Sequence, residues 1–303
     1  MTQRALVTGV TGFVGAHVTR ALLADGVTVH AVVRPGAHLE RVPDLRDRLV
    51  LHVEDGSTDA LVRAVDAARP DVTFHLATNF VAEHRAGDVG ALVADNVVFP
   101  SRLLDALAAR DAVFVNVGTA WQHVDGARYR PKNLYAATKQ AFEDVLRFSV
   151  VTGRVRAVTV NLYDSYGPLD HRGKLLSALV DALCTGDVLG ASSGRQLVDL
   201  VHVDDIVRGL RCAATACADD ALPPDVPYYS LSSGRPCTLR ELVDELGRVA
   251  GRPVPVEWGV RPDRAGDMMS PWDAGPPVPG WAPRVDLETG LAALLADAGV
   301  TRG

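Results

Sequence analysis

Tyr135 and Lys139 stand four residues apart in the stretch Asn133-Leu134-Tyr135-Ala136-Ala137-Thr138-Lys139-Gln140-Ala141-Phe142-Glu143, whose Ala, Gln, Phe and Glu content predicts a helix. On a helix that spacing sets one side chain above the other on a single face. A phenol and an ammonium can then share one site. A phenol with a pKa near ~10 exchanges protons poorly at neutral pH. A cation at about 4 Å, with an effective dielectric of about 20, contributes roughly 4 kcal/mol, which is on the order of three pKa units. The expectation is a Tyr135 poised near neutrality as a general acid or base; the alternative is a surface helix that carries the pair by chance. Upstream, Gly118-Thr119-Ala120-Trp121-Gln122-His123 follows an apolar run at 112–117 that predicts a strand. Ligands of parallel sheets sit outside the carboxyl ends of the strands, so Thr119 is placed to hydrogen-bond a reacting group. It completes a trio of hydroxyl, phenol and ammonium.

The elements that must position this trio read in order. Residues 4–8 form a short buried strand, Gly9-Val10-Thr11-Gly12-Phe13-Val14-Gly15 a turn, and Val18, Ala21, Leu22 and Leu23 the apolar face of a helix. Gly9 permits the turn, Gly12 lets a pyrophosphate approach the backbone, and Gly15 lets helix and strand pack closely, with the helix N-terminus facing the anion. This predicts dinucleotide binding, although the spacing is G-x-x-G-x-x-G rather than G-x-G-x-x-G. The second strand, 28–33, ends at Arg34, where an NAD-selective site places an acid. A guanidinium there suits a 2′-phosphate and favours NADPH, with NADH as the alternative. The lesser alternative is that Arg34 is only a solvated loop residue beside Pro35-Gly36; the nearby Arg41 and Arg46 could equally be the contact. A third strand covers 49–53; beyond it Asp55 could accept from an adenine amino group or serve the turn Asp55-Gly56-Ser57.

The fourth strand, 71–78, runs through His75 into Leu76, Ala77 and Thr78, small enough to let a cofactor cross; His75 itself reads as a core histidine. Residues 88–110 are helical by periodicity and carry Asn96, and a sixth strand at 155–161 leads into Leu162 and a turn to Pro168 that would border the nicotinamide. Such alternation specifies a parallel, doubly wound α/β sheet of Rossmann type. Further on come a helix at 172–186, a strand at 195–203, Asp204-Asp205 capping the next helix, a short strand at 228–231, a capping box at Thr238 and Glu241, and a last helix at 287–298. The loop-rich stretch 252–283 suits a specificity lid. Its Trp258, Trp272 and Trp281 could face a base or sugar, but core filling is the commoner use. The division expected is a dinucleotide-binding domain of 1–165, with 200–232 returning to it, and a smaller C-terminal α/β substrate-binding domain of 166–199 and 233–303.

At 303 residues, 48% hydrophobic and 22% charged, the chain supports a substantial core. A net charge of −6 without a Lys/Arg block argues against nucleic acid. No apolar run approaches the ~20 residues of a membrane span, and Met1-Thr2-Gln3-Arg4 leads straight into a strand, so no membrane partner and a cytoplasmic location are expected. Cys184, Cys212, Cys217 and Cys237 lack metal-site spacing, so no metal is expected.

Taken together the chain resembles an extended short-chain dehydrogenase/reductase, of the nucleotide-sugar epimerase, dehydratase and reductase group. Thr8-Gly9-Val10-Thr11-Gly12-Phe13-Val14-Gly15 is similar to its T-G-x-x-G-F-x-G, His75-Leu76-Ala77-Thr78 to its H-L-A-A, Tyr135 and Lys139 to its Y-x-x-x-K, and Leu200-Val201-His202-Val203-Asp204-Asp205 to its F-V-H-V-D-D. The wording around Thr119, from Asn133 to Glu143, and at Met268-Met269-Ser270-Pro271-Trp272 resembles more narrowly reductases of the CDP-abequose and paratose synthase type. The resemblance implies Tyr135 as proton donor or acceptor, Thr119 orienting the substrate oxygen, and Lys139 holding cofactor ribose hydroxyls while lowering the Tyr135 pKa. It implies a cofactor set of Gly9, Thr11, Gly12, Phe13, Val14, Gly15, Arg34, Asp55, Leu76, Ala77, Thr78, Asn96, Tyr135, Lys139 and Leu162.

Substrate contacts would come from Thr119, Trp121, Gln122, Asn161, Arg195 and Arg264. Dehydratases of the group follow the Thr with Asp-Glu, whereas Ala120-Trp121 stand here, so dehydration is not expected. Val198 replaces the Arg that grips a substrate diphosphate, which throws that duty onto Arg195 or Arg264. The reading is reduction by NADPH of a nucleotide-activated 4-keto-6-deoxyhexose, by a homodimer. The alternatives are a 4-epimerase holding NAD, a ketoreductase of a non-sugar metabolite, and a non-catalytic nucleotide sensor.

Overall fold

The computed structural model describes residues 3–108, 110–223, 227–263, 267, 269 and 275–300. A parallel sheet is built from β1 (Arg4–Thr8), β2 (Thr28–Val33), β3 (Val50–Val53), β4 (Val72–His75), β5 (Val113–Thr119) and β6 (Arg156–Leu162). Short strands β7 (Asp164–Tyr166), β8 (Leu189–Gly190), β9 (Leu197–Val198) and β10 (Leu200–His202) follow before β11 (Tyr229–Leu231) rejoins that sheet; β12 (Cys237–Thr238) and β13 (Val256–Glu257) come last. The seven-stranded order is β11-β6-β5-β4-β1-β2-β3. The chain runs outward one way from β1 and then back to β4 on its other side. The carboxyl ends of β1 and β4 thus border the crevice where such folds bind ligands.

Helices α1 (Phe13–Ala24), α2 (Pro43–Arg46), α3 (Thr58–Ala68), α4 (Val89–Val93), α5 (Phe99–Leu107), α6 (Leu134–Val151), α7 (Leu175–Thr185), α8 (Val203–Ala218), α9 (Leu239–Ala250) and α10 (Leu287–Asp297) complete the chain. One face of the sheet is covered by α1 and α8, through Val18, Leu22, Ile206 and Leu210. The other is covered by α3, α5 and α6, through Leu61, Val65, Leu103, Phe142 and Leu146. Each such side chain contributes about 1.5–3 kcal/mol when fully buried. A third apolar cluster joins α7, α9 and α10 through Leu179, Leu242, Leu246 and Leu291. Among the described residues no helix is long and apolar enough to cross a membrane.

Three segments depart from the sequence expectation. The helix expected over 88–110 is interrupted by a π-turn at Ala94–Val98 before α5. Pro100 has no N–H to give the carbonyl four residues back, which favours the wider turn. The strand expected at 195–203 breaks at Asp199, whose carboxylate accepts from Ser232 Oγ at 2.5 Å and from Ser233 N at 2.9 Å. Asp204 and Asp205 stand in the first turn of α8, as expected, but the cap itself is His202, and Asp205 is also a buried anchor. Its Oδ2 accepts from Arg284 N and Val285 N at 2.9 Å each, and its carbonyl accepts from Trp281 Nε1 at 2.8 Å. Trp281 therefore fills core, and Trp258 lies under the Arg240 guanidinium at 4.5 Å. Trp272 lies outside the described residues.

Candidate active site

The glycine turn is a steric necessity. Gly9 has φ +76°, and a Cβ there would stand 2.6 Å from Ala77 N and 2.7 Å from Leu76 C. A Cβ on Gly15 would overlap the Gly9 carbonyl. Thr8 Oγ1 closes the join, accepting from Leu76 N at 3.2 Å and Ala77 N at 3.1 Å and meeting His75 Nδ1 at 2.9 Å. The Leu76 and Ala77 amides are thereby used within the protein. The N-cap Gly12 offers no side chain, so the first-turn N–H groups of α1 stay open to an anion. This cradle fits the pyrophosphate of a dinucleotide, with Thr11 and Val14 half-buried beside it. Phe13 is buried under the Arg172 guanidinium, 4.2 Å away, and this stacks the segment after β7 onto α1.

At the far end of the cradle Arg34 is exposed directly after β2. Asp55 is exposed too, and its Oδ1 accepts from Ser57 N at 2.9 Å and Ser57 Oγ at 2.6 Å. That is the turn use of the residue. His75 is a core histidine ringed by Phe99, Phe114 and Phe142, and burial holds its pKa well below the usual histidine value.

Helix α6 opens on Asn133, whose Oδ1 caps Ala136 N at 3.0 Å, and presents Tyr135, Lys139 and Glu143 at successive turns of one face. Thr119 ends β5 opposite Leu162 of β6. Its Oγ1 accepts from Trp121 N at 3.3 Å, which leaves its own O–H to donate. Gln122 fixes that turn against α6: its Oε1 accepts from Thr119 N at 3.0 Å, and its Nε2 donates to Gln140 Oε1 at 3.0 Å and Glu143 Oε1 at 2.9 Å. Gln122 is thus buried scaffold rather than a surface of the cleft. Asn161, also fully buried, lies with Glu143 against the α-carbon of Gly118. Asn96 is likewise enclosed, its amide bonded to Thr78, Asn79 and Thr138.

The expectation of a Tyr135 drawn toward neutrality is corrected. Burial pushes its phenol up to about 12, with the hydroxyl of Thr78 working against the rise. Burial likewise lowers the Lys139 ammonium to about 8, against the pull of the Glu143 carboxylate. Glu143 is in turn pushed up to about 7 by burial, against the pull of Gln122 and Lys139. Tyr135 is therefore protonated at neutral pH.

An aromatic wall stands beside it. The Phe80 ring lies 5.0 Å from the Tyr135 ring and 5.5 Å from the Trp121 ring. Lys132 sits over Trp121 at 4.6 Å and Lys174 over Phe80 at 5.5 Å. Of the chain's 31 basic residues three are lysines, Lys132, Lys139 and Lys174, and all three are here. Asp164, its carboxyl raised by burial, faces the charges of Lys174, Lys132 and Arg172. Phe80, Lys132, Asp164 and Lys174 belong to no motif in the sequence; the rarity of lysine is the signal that could have found the cations. A cleft of about 500 Å³ opens beyond Lys132, lined also by Arg130, Asp267 and Met269. The expected anion grips fare otherwise: Arg195 is exposed on the surface, 3.6 Å from Asp263, and Arg264 lies outside the described residues.

Comparison with known proteins places this geometry. CDP-abequose synthase of Salmonella typhimurium is 24% identical over 305 residues, covering 97% of each chain. A dTDP-glucose 4,6-dehydratase of Streptomyces griseus is 28% identical, covering 98% of this chain and 94% of its own. The structure of Thermotoga maritima UDP-glucose 4-epimerase with UDP-glucose superposes with a TM-score of 0.82 at 21% identity, over 97% of this chain and 98% of that one, and so shares the fold. The sequence profile of the NAD dependent epimerase/dehydratase family matches residues 5–226, and this enzyme chain belongs to that family.

Proposed function

We propose that the protein is an NADPH-dependent 4-ketoreductase acting on a nucleotide-activated 4-keto-6-deoxyhexose. The observation that carries this reading is the turn after Thr119. Ala120 is buried and Trp121 packs on Phe80 where elimination of water would need an acid and a base, which leaves the protonated Tyr135 as the group facing a carbonyl. The cofactor, bound on the glycine cradle, supplies the hydride. Tyr135 gives its proton to the substrate oxygen, and Thr119 donates a second hydrogen bond to that oxygen. Lys139 supports the phenolate that remains. The Phe80 and Trp121 rings suit a deoxygenated sugar face, and Lys132 and Lys174 suit a diphosphate. The similarity to CDP-abequose synthase supports the same substrate class.

A homodimer accords with the apolar side chains left exposed on α4 and α6, Val93, Phe148 and Val151. The rival reading is a 4-epimerase that keeps NAD, which the likeness to the Thermotoga enzyme favours at the level of fold. Purified protein mixed with NADPH and CDP- or dTDP-linked 4-keto-6-deoxyhexoses tests the proposal. Stoichiometric NADPH oxidation is expected; interconversion of 4-hydroxy epimers without net oxidation would overturn it.

A further inference from the structure

Nothing in the reaction above uses Glu143, although it shares a face of α6 with Tyr135 and Lys139. It sits one helical turn beyond Lys139, buried, and accepts from Gln122 Nε2 at 2.9 Å. The same Gln122 holds Thr119 N at 3.0 Å. A Cβ on Gly118, the residue before Thr119, would stand 2.7 Å from Glu143 Oε1, so strand and carboxylate are in direct contact. One carboxylate therefore touches the element that carries Thr119 and, along α6, the element that carries Tyr135 and Lys139. Burying an ion is costly unless a partner offsets it, and a neutral side chain of similar volume fills such a place at lower cost.

We propose that Glu143 is a positioning residue: its negative charge keeps Lys139 protonated in the working enzyme, and its bond to Gln122 holds the Thr119 turn against α6. The proposal rests on the reading of Thr119, Tyr135 and Lys139 as the reacting trio. The groups facing the pair are few among the described residues. On α6 itself, Lys139 attracts Glu143 and Asp144 repels it. From β4, His75 is held neutral by burial and by the charge of Lys139. From the chain before β11, Tyr228 feels the Glu143 charge, which with burial raises its phenol. Gln122, from the turn after β5, is uncharged. Lys139 is thus the cation on which Glu143 acts, and without the carboxylate Lys139 releases its proton at lower pH.

The test exploits a chain with three lysines. Lysine labelled with ¹³C at Cε gives three signals, and the Lys139 signal is assigned by its loss in Lys139→Met. In Glu143→Gln, which keeps the volume and an oxygen for Gln122, the Lys139 midpoint should fall by about one unit, a tenfold loss of proton affinity. The alkaline limb of kcat should move down by the same amount. Glu143→Asp, which keeps the charge, should leave both closer to wild type than Gln does. In the wild-type protein the Lys139 signal should also sense a second titration near about 7, that of Glu143, which gives a readout should either variant fail to fold. An unmoved midpoint in Glu143→Gln, an Asp variant shifted as far as the Gln variant, or a wild-type signal without the second step would each overturn the proposal. A midpoint that moves while kcat keeps its pH profile would overturn the catalytic part of it. Absence of turnover in the wild type would sink the ketoreductase reading instead, and the lysine titration would still decide the Glu143–Lys139 coupling.

Discussion

Asn96 Nδ2 donates to Thr138 Oγ1 at 3.0 Å, and this contact ties the π-turn before α5 to the first turns of α6. Thr138 Oγ1 in turn donates to the Tyr135 carbonyl at 2.8 Å, while Asn96 Oδ1 accepts from Asn79 N at 2.8 Å and Thr78 Oγ1 at 3.1 Å. Asn96, expected among the cofactor contacts, is a buried brace that joins the end of β4 to the turn bearing the phenol. Asn96→Leu preserves the bulk and leaves these partners unsatisfied, at a cost of about 2–3 kcal/mol. Urea denaturation should show that loss, and kcat should fall more than cofactor affinity. Wild-type stability in the variant would show the brace to be dispensable.

Tyr135→Phe removes the hydroxyl proposed as proton donor and keeps the ring against Phe80. Turnover should fall by roughly 10²–10⁴-fold, the usual contribution of a positioned general acid. The dissociation constant for NADPH, followed by nucleotide fluorescence, should stay within about twofold of wild type, because the glycine cradle is untouched. Unchanged turnover would take Tyr135 out of the chemistry.

The buried pair on α6 leaves a mark on stability as a function of pH. Glu143 rises from 4.5 to about 7 on folding, so between those values the folded chain holds a proton the unfolded chain has released, and stability falls as pH rises. Lys139 drops from 10.5 to about 8, so between about 8 and 10.5 the unfolded chain holds the extra proton, and stability rises with pH. Wild type compared with the double variant Lys139→Met, Glu143→Leu should therefore trace a trough across neutrality in chemical denaturation. A flat difference would mean that neither group is desolvated.

Arg34 stands exposed just past β2, with its carbonyl turned into the loop by Ala37 N at 3.1 Å. Arg34→Glu reverses the charge that a 2′-phosphate would meet. NADPH affinity should drop about tenfold or more, equivalent to about 1.4 kcal/mol, while NADH affinity holds or improves. Equal losses for both nucleotides would assign Arg34 no part in choosing between them.

How far the sequence foretold this molecule depends on what each feature rests on. The sheet follows from strand, glycine turn and helix in alternation, because handedness and short connections leave few topologies. The glycine turn was legible because its requirement is steric and local: Gly9 and Gly15 each lack room for one carbon. The break at Asp199 was not, since its cause is a pair of serines, Ser232 and Ser233, far along the chain. The pKa of Tyr135 was misjudged in sign because spacing reveals a neighbouring charge and hides desolvation, which here is the larger effect. The wall beside it draws on Phe80, Trp121, Lys132, Asp164 and Lys174, which no single motif contains.

That wall is where the chain's scarce lysines gather. A chain that uses arginine almost everywhere keeps lysine at three places: on α6, over Trp121 and over Phe80. A guanidinium is planar and presents a broad fork, whereas an ammonium is a compact point charge that fits over a ring or between phosphate oxygens. Lys174 is largely desolvated; burial and Arg172 lower its pKa, while Asp164 and Asp170 raise it. A desolvated ammonium over the Phe80 ring is costly in the free protein and favourable once an anion meets it. Lys174→Met should therefore raise the KM for a nucleotide-linked keto-sugar by about tenfold, the equivalent of one charge-assisted contact. NADPH affinity should be unaffected. Lys174→Arg should recover only part of the loss, since the wider fork cannot occupy the same place over Phe80. A Met variant with wild-type KM would place the substrate anion elsewhere and leave Lys174 as a ring-packing residue.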